Sequence, residues 1–327
     1  MVNKTYQPTF ISTFSGCGGS SLGYKLAGFK ELLAVEYYDK AVETFKLNFP
    51  GIPVYLGDIK NLTSAECMKL ANIKRGELDV LDGSPPCQGF SAAGKRRITD
   101  PRNSLFKEFV RLLNDIQPKV FIMENVVGLV TGYMKQEYLK IVEELRKCGY
   151  RVKSEILNAM YFNVPQNRSR VFIIGMRNDL EIEPSHPKPQ TRPKTLRKAF
   201  AGLSIVDYEP IADISRYAIG KVWKESKPGI KLTKKFYSFK RAEWDKPSPI
   251  LTKFTGNPSA ASVTHPEMCR KYSIAEARRV SSFPDDFRFV GGWKEAIKCM
   301  GNSVPPNLMR AIAEHIKEKL LLTKSNE

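Results

Sequence analysis

Short apolar runs alternate with longer amphipathic stretches over residues 9–175. Thr9–Phe14, Leu32–Val35, Val54–Leu56, Val80–Leu81, Val120–Met123 and Val171–Gly175 read as strands. Between them, Ser20–Ala27, Lys40–Asn48, Ala65–Ala71, Ser104–Ile116 and Gln136–Cys148 carry helical spacing. This strand–helix alternation predicts an α/β fold with a parallel sheet covered by helices on both faces. From about Pro184 the periodicity dissolves into Pro-rich and Lys-rich sequence with interspersed Tyr and Trp, too long for a loop and suited to a small irregular domain. A helix returns at Ser273–Ser282. The last one runs from Asn307 to about Leu322, with Leu308, Ala311, Ile312, His315, Ile316 and Leu320 on one face to pack against the sheet.

Composition narrows the class. The 327 residues are 42% hydrophobic, enough for one large core or one large and one small domain. No apolar run approaches the roughly 20 residues that span a bilayer, and Met1–Pro8 lacks the pattern of a signal peptide. The six cysteines are scattered without a close pair, which argues against a disulfide framework or a metal site and for a reducing, cytoplasmic compartment. A formal charge of +18 calls for a polyanionic partner. The excess is uneven: residues 185–265 hold 16 basic against 6 acidic side chains, and 8 of the 21 prolines.

Chemistry-bearing motifs fall at strand ends, where α/β sheets bind ligands. Phe14-Ser15-Gly16-Cys17-Gly18-Gly19-Ser20 is a glycine-rich turn that lets backbone approach a cofactor ahead of a helix N-terminus. It only half matches the dinucleotide fingerprint, because Ser21 stands where the third glycine belongs. Glu36 ends the second strand, where a carboxylate can accept from ribose hydroxyls; Tyr37 beside it can stack on a purine. Asp58 follows the third strand, placed to meet an adenine edge. Singly, such acids are often helix caps. Together they indicate a cofactor that contains a nucleoside.

Asp82-Gly83-Ser84-Pro85-Pro86-Cys87-Gln88-Gly89 ends the fourth strand in a stiff bend, since two prolines donate no hydrogen bonds and hold φ fixed. A core cysteine belongs in an apolar periodic run. Cys87 lies instead between a Pro-Pro corner and a polar loop, the context of a presented nucleophile. Gly89 to Arg96 nearly matches a phosphate-binding loop, but Arg96 replaces the magnesium-binding Ser/Thr and no helix follows at once. Lys95, Arg96, Arg97 and Arg102 suit nucleic-acid phosphates better. The fifth strand ends in Glu124-Asn125-Val126, where a carboxylate would face the same crevice as Cys87 and desolvation can fit it to carry a proton. Arg168 and Arg170 alternate into a strand, so both point to one face and suit oxyanion or carbonyl recognition.

In this order, Phe14-Ser-Gly-Cys-Gly-Gly19, Pro85-Pro-Cys-Gln88, Glu124-Asn-Val126, Gln166-Asn-Arg-Ser-Arg170, Glu276-Ala-Arg-Arg279 and Gly301-Asn-Ser303 resemble the DNA (cytosine-5)-methyltransferases of bacterial restriction-modification systems. The resemblance covers roughly residues 9–180 and 265–320. It implies a Rossmann-like, S-adenosylmethionine-dependent methyltransferase with a mostly parallel sheet. The catalytic, cofactor-binding domain would be residues 1–184 plus 296–327. A smaller domain, 185–295, would contain the target-recognition region at about 185–265.

The implied reaction moves a methyl group from S-adenosylmethionine to C5 of a flipped-out cytosine, with no metal, leaving S-adenosylhomocysteine. Cys87 is then the nucleophile at C6, Glu124 serves N3, Arg170 holds O2, Arg168 supports the closed site, and the Pro85 carbonyl accepts from the exocyclic amine. The cofactor would contact Phe14, Gly16, Cys17, Gly18, Gly19, Glu36, Tyr37, Asp58, Ile59, Pro86, Leu105, Asn302 and Ser303. Gln88 and Ser91 would fill the gap in the duplex. Thr252-Lys253 departs from the family's Thr-aliphatic pair and bears on target choice, as does Ser281-Ser282, another departure. The implied partner is double-stranded DNA, met by a monomer in the cytoplasm at the nucleoid, with any cognate endonuclease acting separately.

Four rivals can be weighed. A tRNA-directed relative would keep every catalytic residue, so the motifs leave that reading open. A nicotinamide oxidoreductase explains Gly16 and Glu36 but not Cys87 with Glu124. A zinc deaminase needs His-x-Glu before Pro-Cys-x-x-Cys, whereas His265-Pro-Glu267 comes after Cys87 and the second Cys is missing. A non-enzymatic DNA-binding protein needs no cofactor and thiol motifs.

Overall fold

A computed structural model describes residues 6–86, 105–131, 134–204, 209–229 and 239–324. Seven strands form one sheet in the order β3-β2-β1-β4-β5-β7-β6. They are β1 (Thr9–Thr13), β2 (Lys30–Glu36), β3 (Val54–Leu56), β4 (Val80–Gly83), β5 (Val120–Val126), β6 (Tyr150–Asn158) and β7 (Ser169–Arg177). The first five pair in parallel, while β7 lies antiparallel between β5 and β6. The sheet is thus mixed at one edge. That reversal matters for the site, because it brings the start of β7 beside the end of β5, pairing Arg170 with Val126.

Helices cover both faces. On one, α3 (Ser64–Ala71), α4 (Leu105–Ile116) and α5 (Lys135–Lys147) close a core that includes Ile11, Leu81, Phe121 and Met123. The spacing of Phe109, Leu112, Leu113 and Ile116 turns one stripe of α4 inward. On the other face, α1 (Gly19–Leu26) and α10 (Pro306–Lys324) meet Phe10, Val80, Val120 and Ile122. The two helices approach so closely that a Cβ on Gly23 would lie 2.6 Å from Met309 Cβ. Glycine there sets the closeness of the contact.

A third core joins α2 (Asp39–Asn48) and Cys17 to the chain beyond residue 190. It gathers α6 (Leu196–Ala199), α8 (Ile274–Val280) and α9 (Gly292–Asn302) around Tyr272, Phe283 and Trp293. The remaining elements, α7 (Ala218–Glu225), β8 (Lys240–Arg241) and β9 (Val263–Thr264), are short, as the broken periodicity predicts. Within this unit Arg270 grips Glu276 through two bonds of 2.6 and 2.8 Å, and Glu276 also completes a capping box with Ser273 at the start of α8. Among the described residues no helix is long and apolar enough to cross a membrane.

Candidate active site

The glycine-rich turn forms because β1 must hand over to α1 within five residues. Phe14 takes φ of 56°, in the left-handed region that a non-glycine residue enters only under constraint. Gly16 and Gly18 follow at φ of 56° and 92°. The glycines then divide by role. A Cβ on Gly18 would sit 2.4 Å from Phe49 Cε2, and one on Gly19 would sit 2.5 Å from the Val304 carbonyl oxygen. Gly16 alone of the three meets nothing within 4 Å, so its open side is the one that can receive a ligand. Cys17 is buried, its Sγ 3.2 Å from Ser303 Oγ, and fastens the turn to the end of α9.

Glu36 closes the turn from the neighbouring strand. Its carboxylate accepts from the backbone N–H of Gly16 at 2.8 Å and of Tyr37 and Tyr38 at 2.9 Å each. Tyr37 is 71% exposed. Behind it, Tyr38 donates to Glu295 at 2.6 Å and lies under the Lys298 ammonium, 3.8 Å from the ring centre. Asp58 caps a short 3-10 turn by accepting from Lys60 N at 3.0 Å, the ordinary role that acids after strands fill. Ile59 beside it is buried in the sheet core.

Gly301 and Asn302 form the last turn of α9, with Ser303 as its cap. Gly301 is needed where Thr252 and Lys253 cross the helix, since a Cβ there would lie 2.3 Å from the Thr252 carbonyl carbon. Asn302 remains exposed.

The catalytic candidates collect at the ends of β4, β5 and β7. Gly83 lets β4 pass between Thr13 and Phe109, where a Cβ would come within 2.4 Å of Thr13 Oγ1. Ser84-Pro85-Pro86 leaves the strand from there. Cys87, Gln88, Ser91, Lys95, Arg96, Arg97 and Arg102 lie outside the described residues. Glu124 sits in β5, whose last three residues are Glu124-Asn125-Val126, and is 9% exposed. Its Oε1 lies 2.9 Å from Arg170 Nε. Asn125, which the sequence did not single out as a separate contributor, donates from Nδ2 to the Pro85 carbonyl at 3.2 Å and so braces the Pro-Pro corner against β5. That carbonyl keeps one further lone pair for a ligand.

Arg168 has a different job from Arg170. Burial draws its guanidinium down to about 9, with Arg170 adding to the effect and Glu124 opposing it. Its Nη1 donates to the carbonyls of Leu251 at 3.0 Å and Gly301 at 3.1 Å. Gln166 takes the Leu251 N–H at 3.2 Å. Together they pin the segment that begins Leu251-Thr252-Lys253 to the sheet and to α9. Phe254, next along, is 47% exposed. Leu105 opens α4, and Pro86 is half-buried.

A mostly parallel sheet with a glycine turn, a carboxylate at the second strand end and the Glu124–Arg170 pair beside the Pro-Pro corner after β4 fits an α/β enzyme that binds a nucleoside cofactor. Comparison with known proteins sharpens that class. The model of the C-5 cytosine-specific DNA methylases matches residues 8–318, and the chain belongs to that family. It is a DNA (cytosine-5)-methyltransferase.

The chain is 37% identical to the Type II methyltransferase M1.HphI of Haemophilus parahaemolyticus, over 94% of this chain and 86% of that one. It is 32% identical to M.NgoPII of Neisseria gonorrhoeae, over 97% of each. Among solved structures, a protein described as a DNA modification methyltransferase encoded within an E. coli prophage superposes with a TM-score of 0.77 at 24% identity, over 96% of this chain and all of that one. The S. pombe Dnmt2 methyltransferase gives 0.69 at 19% identity, over 98% and 100%. These two likenesses concern the fold. Family membership implies S-adenosylmethionine as methyl donor, and the open side of Gly16, the Glu36 carboxylate and the exposed Tyr37 ring fit its nucleoside.

Proposed function

We propose that this chain methylates C5 of a flipped-out cytosine in a specific duplex site, as the modification enzyme of a restriction-modification system. The observation that carries the reading is the Glu124–Arg170 pair, 2.9 Å apart beside the Pro85-Pro86 corner that leads into Cys87. The relatives named Type II methyltransferases support the restriction-modification setting.

Cytosine C5 is a poor nucleophile until C6 is attacked. The Cys87 thiolate forms the Sγ–C6 bond while N3 takes a proton from Glu124, and the C5=C6 electron pair becomes available at C5. S-adenosylmethionine supplies the electrophilic methyl group that C5 accepts. The C5 proton then leaves to water, the Sγ–C6 bond breaks, and the N3 proton returns to Glu124. Arg170 holds O2 while keeping Glu124 in place, the Pro85 carbonyl takes the exocyclic amine, and Arg168 holds the crevice wall. Gln88 and Ser91 occupy the space the base vacates.

Phe14, Gly16, Glu36, Tyr37, Asp58, Ile59, Pro86, Leu105, Asn302 and Ser303 surround the cofactor, and Cys17, Gly18 and Gly19 shape the turn that receives it. Residues 1–184 with 296–327 do the chemistry. Residues 185–295 form the smaller domain, in which the basic stretch 185–265, with Thr252 and Lys253, selects the site. Lys95, Arg96, Arg97 and Arg102 meet phosphates.

Incubation with labelled S-adenosylmethionine tests the substrate. Label should enter duplex DNA at cytosine C5 and not tRNA. Transfer to tRNA alone would replace this reading with its RNA-directed rival.

A further inference from the structure

The chain from Leu251 to Ser262 is held at both ends and exposed between them. At its start, Arg168 donates to the Leu251 carbonyl and Gln166 Oε1 accepts from the Leu251 N–H. Thr252 and Thr255 then form a capping box around a short 3-10 turn. Gly256 lets that turn lie on α9, since a Cβ there would come within 2.8 Å of the Lys294 carbonyl oxygen. Beyond the turn the chain leaves the core. Phe254, Asn257 and Ser259 are all exposed. Asn257 Oδ1 accepts from the N–H and the hydroxyl of Ser259, at 3.1 and 2.9 Å. This braces the tip and leaves the Asn257 Nδ2 as a donor.

The far end is tied by a buried lysine. Lys271 is 0% exposed, and its Nζ donates to the Ala260 carbonyl at 2.8 Å and to Ser262 Oγ at 2.7 Å. Its own backbone is fixed on both sides. The N–H donates to the Ala212 carbonyl at 2.9 Å, and the carbonyl accepts at 2.9 Å from Arg270, which grips Glu276. Burial alone draws the Lys271 ammonium down to about 7, toward an amine whose two N–H groups match the two acceptors. Hydrogen bonds so far from water are stiff, because little competes for either partner.

Reading a base edge takes side chains placed to about 0.5 Å, which needs support from behind the contact surface. We propose that Lys271 is a specificity-positioning residue: by holding Ala260 and Ser262 it sets where the exposed tip between Phe254 and Ser259 meets the base pairs beside the target cytosine. Arg168 fixes the other end of the same loop, so the reader is tied to the strand that carries Arg170. The inference rests on the reading above that the stretch 185–265, with Thr252 and Lys253, selects the site. It narrows that task to one loop and names its support.

The test uses the full chain, S-adenosylmethionine and a duplex library with random bases on both sides of a fixed cytosine. Sequencing the methylated duplexes gives the base preference at each flanking position. Lys271→Met keeps most of the side chain's bulk and loses both hydrogen bonds. Its preference at one or more positions should fall about tenfold. Cofactor affinity, and the single-turnover rate on the preferred duplex at saturation, should stay within about twofold. Ser262→Ala removes one of the two acceptors and should relax the same positions by less. It decides the matter if Lys271→Met does not fold. An unmoved preference in both variants overturns the proposal, and so does a rate lowered equally on every duplex. Lys253→Ala and Asn257→Ala tell that failure from failure of the reading beneath it. If they relax the preference while Lys271→Met and Ser262→Ala do not, only the tether fails. If all of these variants leave it unmoved, selection by this stretch fails too.

Discussion

Glu124 and Arg170 face each other across 2.9 Å on strands that run in opposite directions, with side chains only 11% and 13% exposed. The pairing exists because β7 enters the sheet reversed beside β5, so residues 46 positions apart in the chain meet where β4 releases the Pro-Pro corner. An ion pair this sheltered is costly to form and costly to break on one side only. Such a pair is weak evidence for stability, and in the mechanism proposed above it holds Glu124 in place.

Glu124→Gln keeps the shape and loses the proton. Methyl transfer in a single turnover should slow by about 100- to 10,000-fold, the range for a positioned acid–base group. Cofactor affinity, measured by calorimetry, should stay within a factor of about two, since the Glu36 side of the site is untouched.

Glu36→Ala should do the reverse. Three backbone amides lose their acceptor, Gly16 among them, and so would the ribose in the cofactor site proposed above. Cofactor binding should weaken by about 1–3 kcal/mol. With cofactor saturating, the rate of the chemical step should recover. A rate that stays depressed at saturation would show that Glu36 acts beyond binding.

Much of this was legible in the sequence, and the gaps have physical reasons. The Pro85-Pro86 corner, the glycine turn and Glu36 are local features whose backbone demands show in residue type. β6 went unread because Tyr150–Asn158 is an edge strand exposed at Lys153, Glu155 and Ile156, and its Arg, Lys and Glu break up the apolar run. The reversal of β7 is equally invisible, because alternation fixes a strand's faces but not its direction. Gly301 resembles a turn residue until Thr252 is seen crossing it. Asp58 caps the next turn with one carboxylate oxygen, a use of an acid after a strand that residue type alone does not show. Lys271 was passed over, since only the tertiary fold shows that Ala260 and Ser262 meet it.

The glycine turn offers a comparison within three residues. Gly16→Ala puts a Cβ into open space and costs only the left-handed strain of about 1–2 kcal/mol. Gly19→Ala drives a Cβ to 2.5 Å from the Val304 carbonyl and 2.8 Å from Ser303 Cβ. Denaturant midpoints should therefore fall further for Gly19→Ala. Equal losses would mean that the contact between the turn and the end of α9 yields easily.

Glu31 predicts how stability depends on pH. Burial raises its carboxyl to about 8, against hydrogen bonds from Ser12 and Ser21 and with some help from Asp82. The folded chain therefore holds a proton that the unfolded chain releases near its ordinary value. Stability contributed by this group is complete below about 4.5 and is lost as pH climbs toward 8. Glu31→Gln should flatten the fall in unfolding free energy over that window, by an amount on the order of several kcal/mol. An unchanged slope would place the titration elsewhere.

A duplex carrying 5-fluorocytosine at the target reads out the proposed attack of Cys87 on cytosine C6. Fluorine at C5 leaves no proton to remove, so the Sγ–C6 bond cannot be released once the methyl group is in place. With S-adenosylmethionine present, the wild-type chain should form a denaturation-resistant complex whose peptide mass places the adduct on Cys87. Cys87→Ser should bind the same duplex and form none. A complex that survives in Cys87→Ser, or an adduct mapped to another residue, would contradict the account.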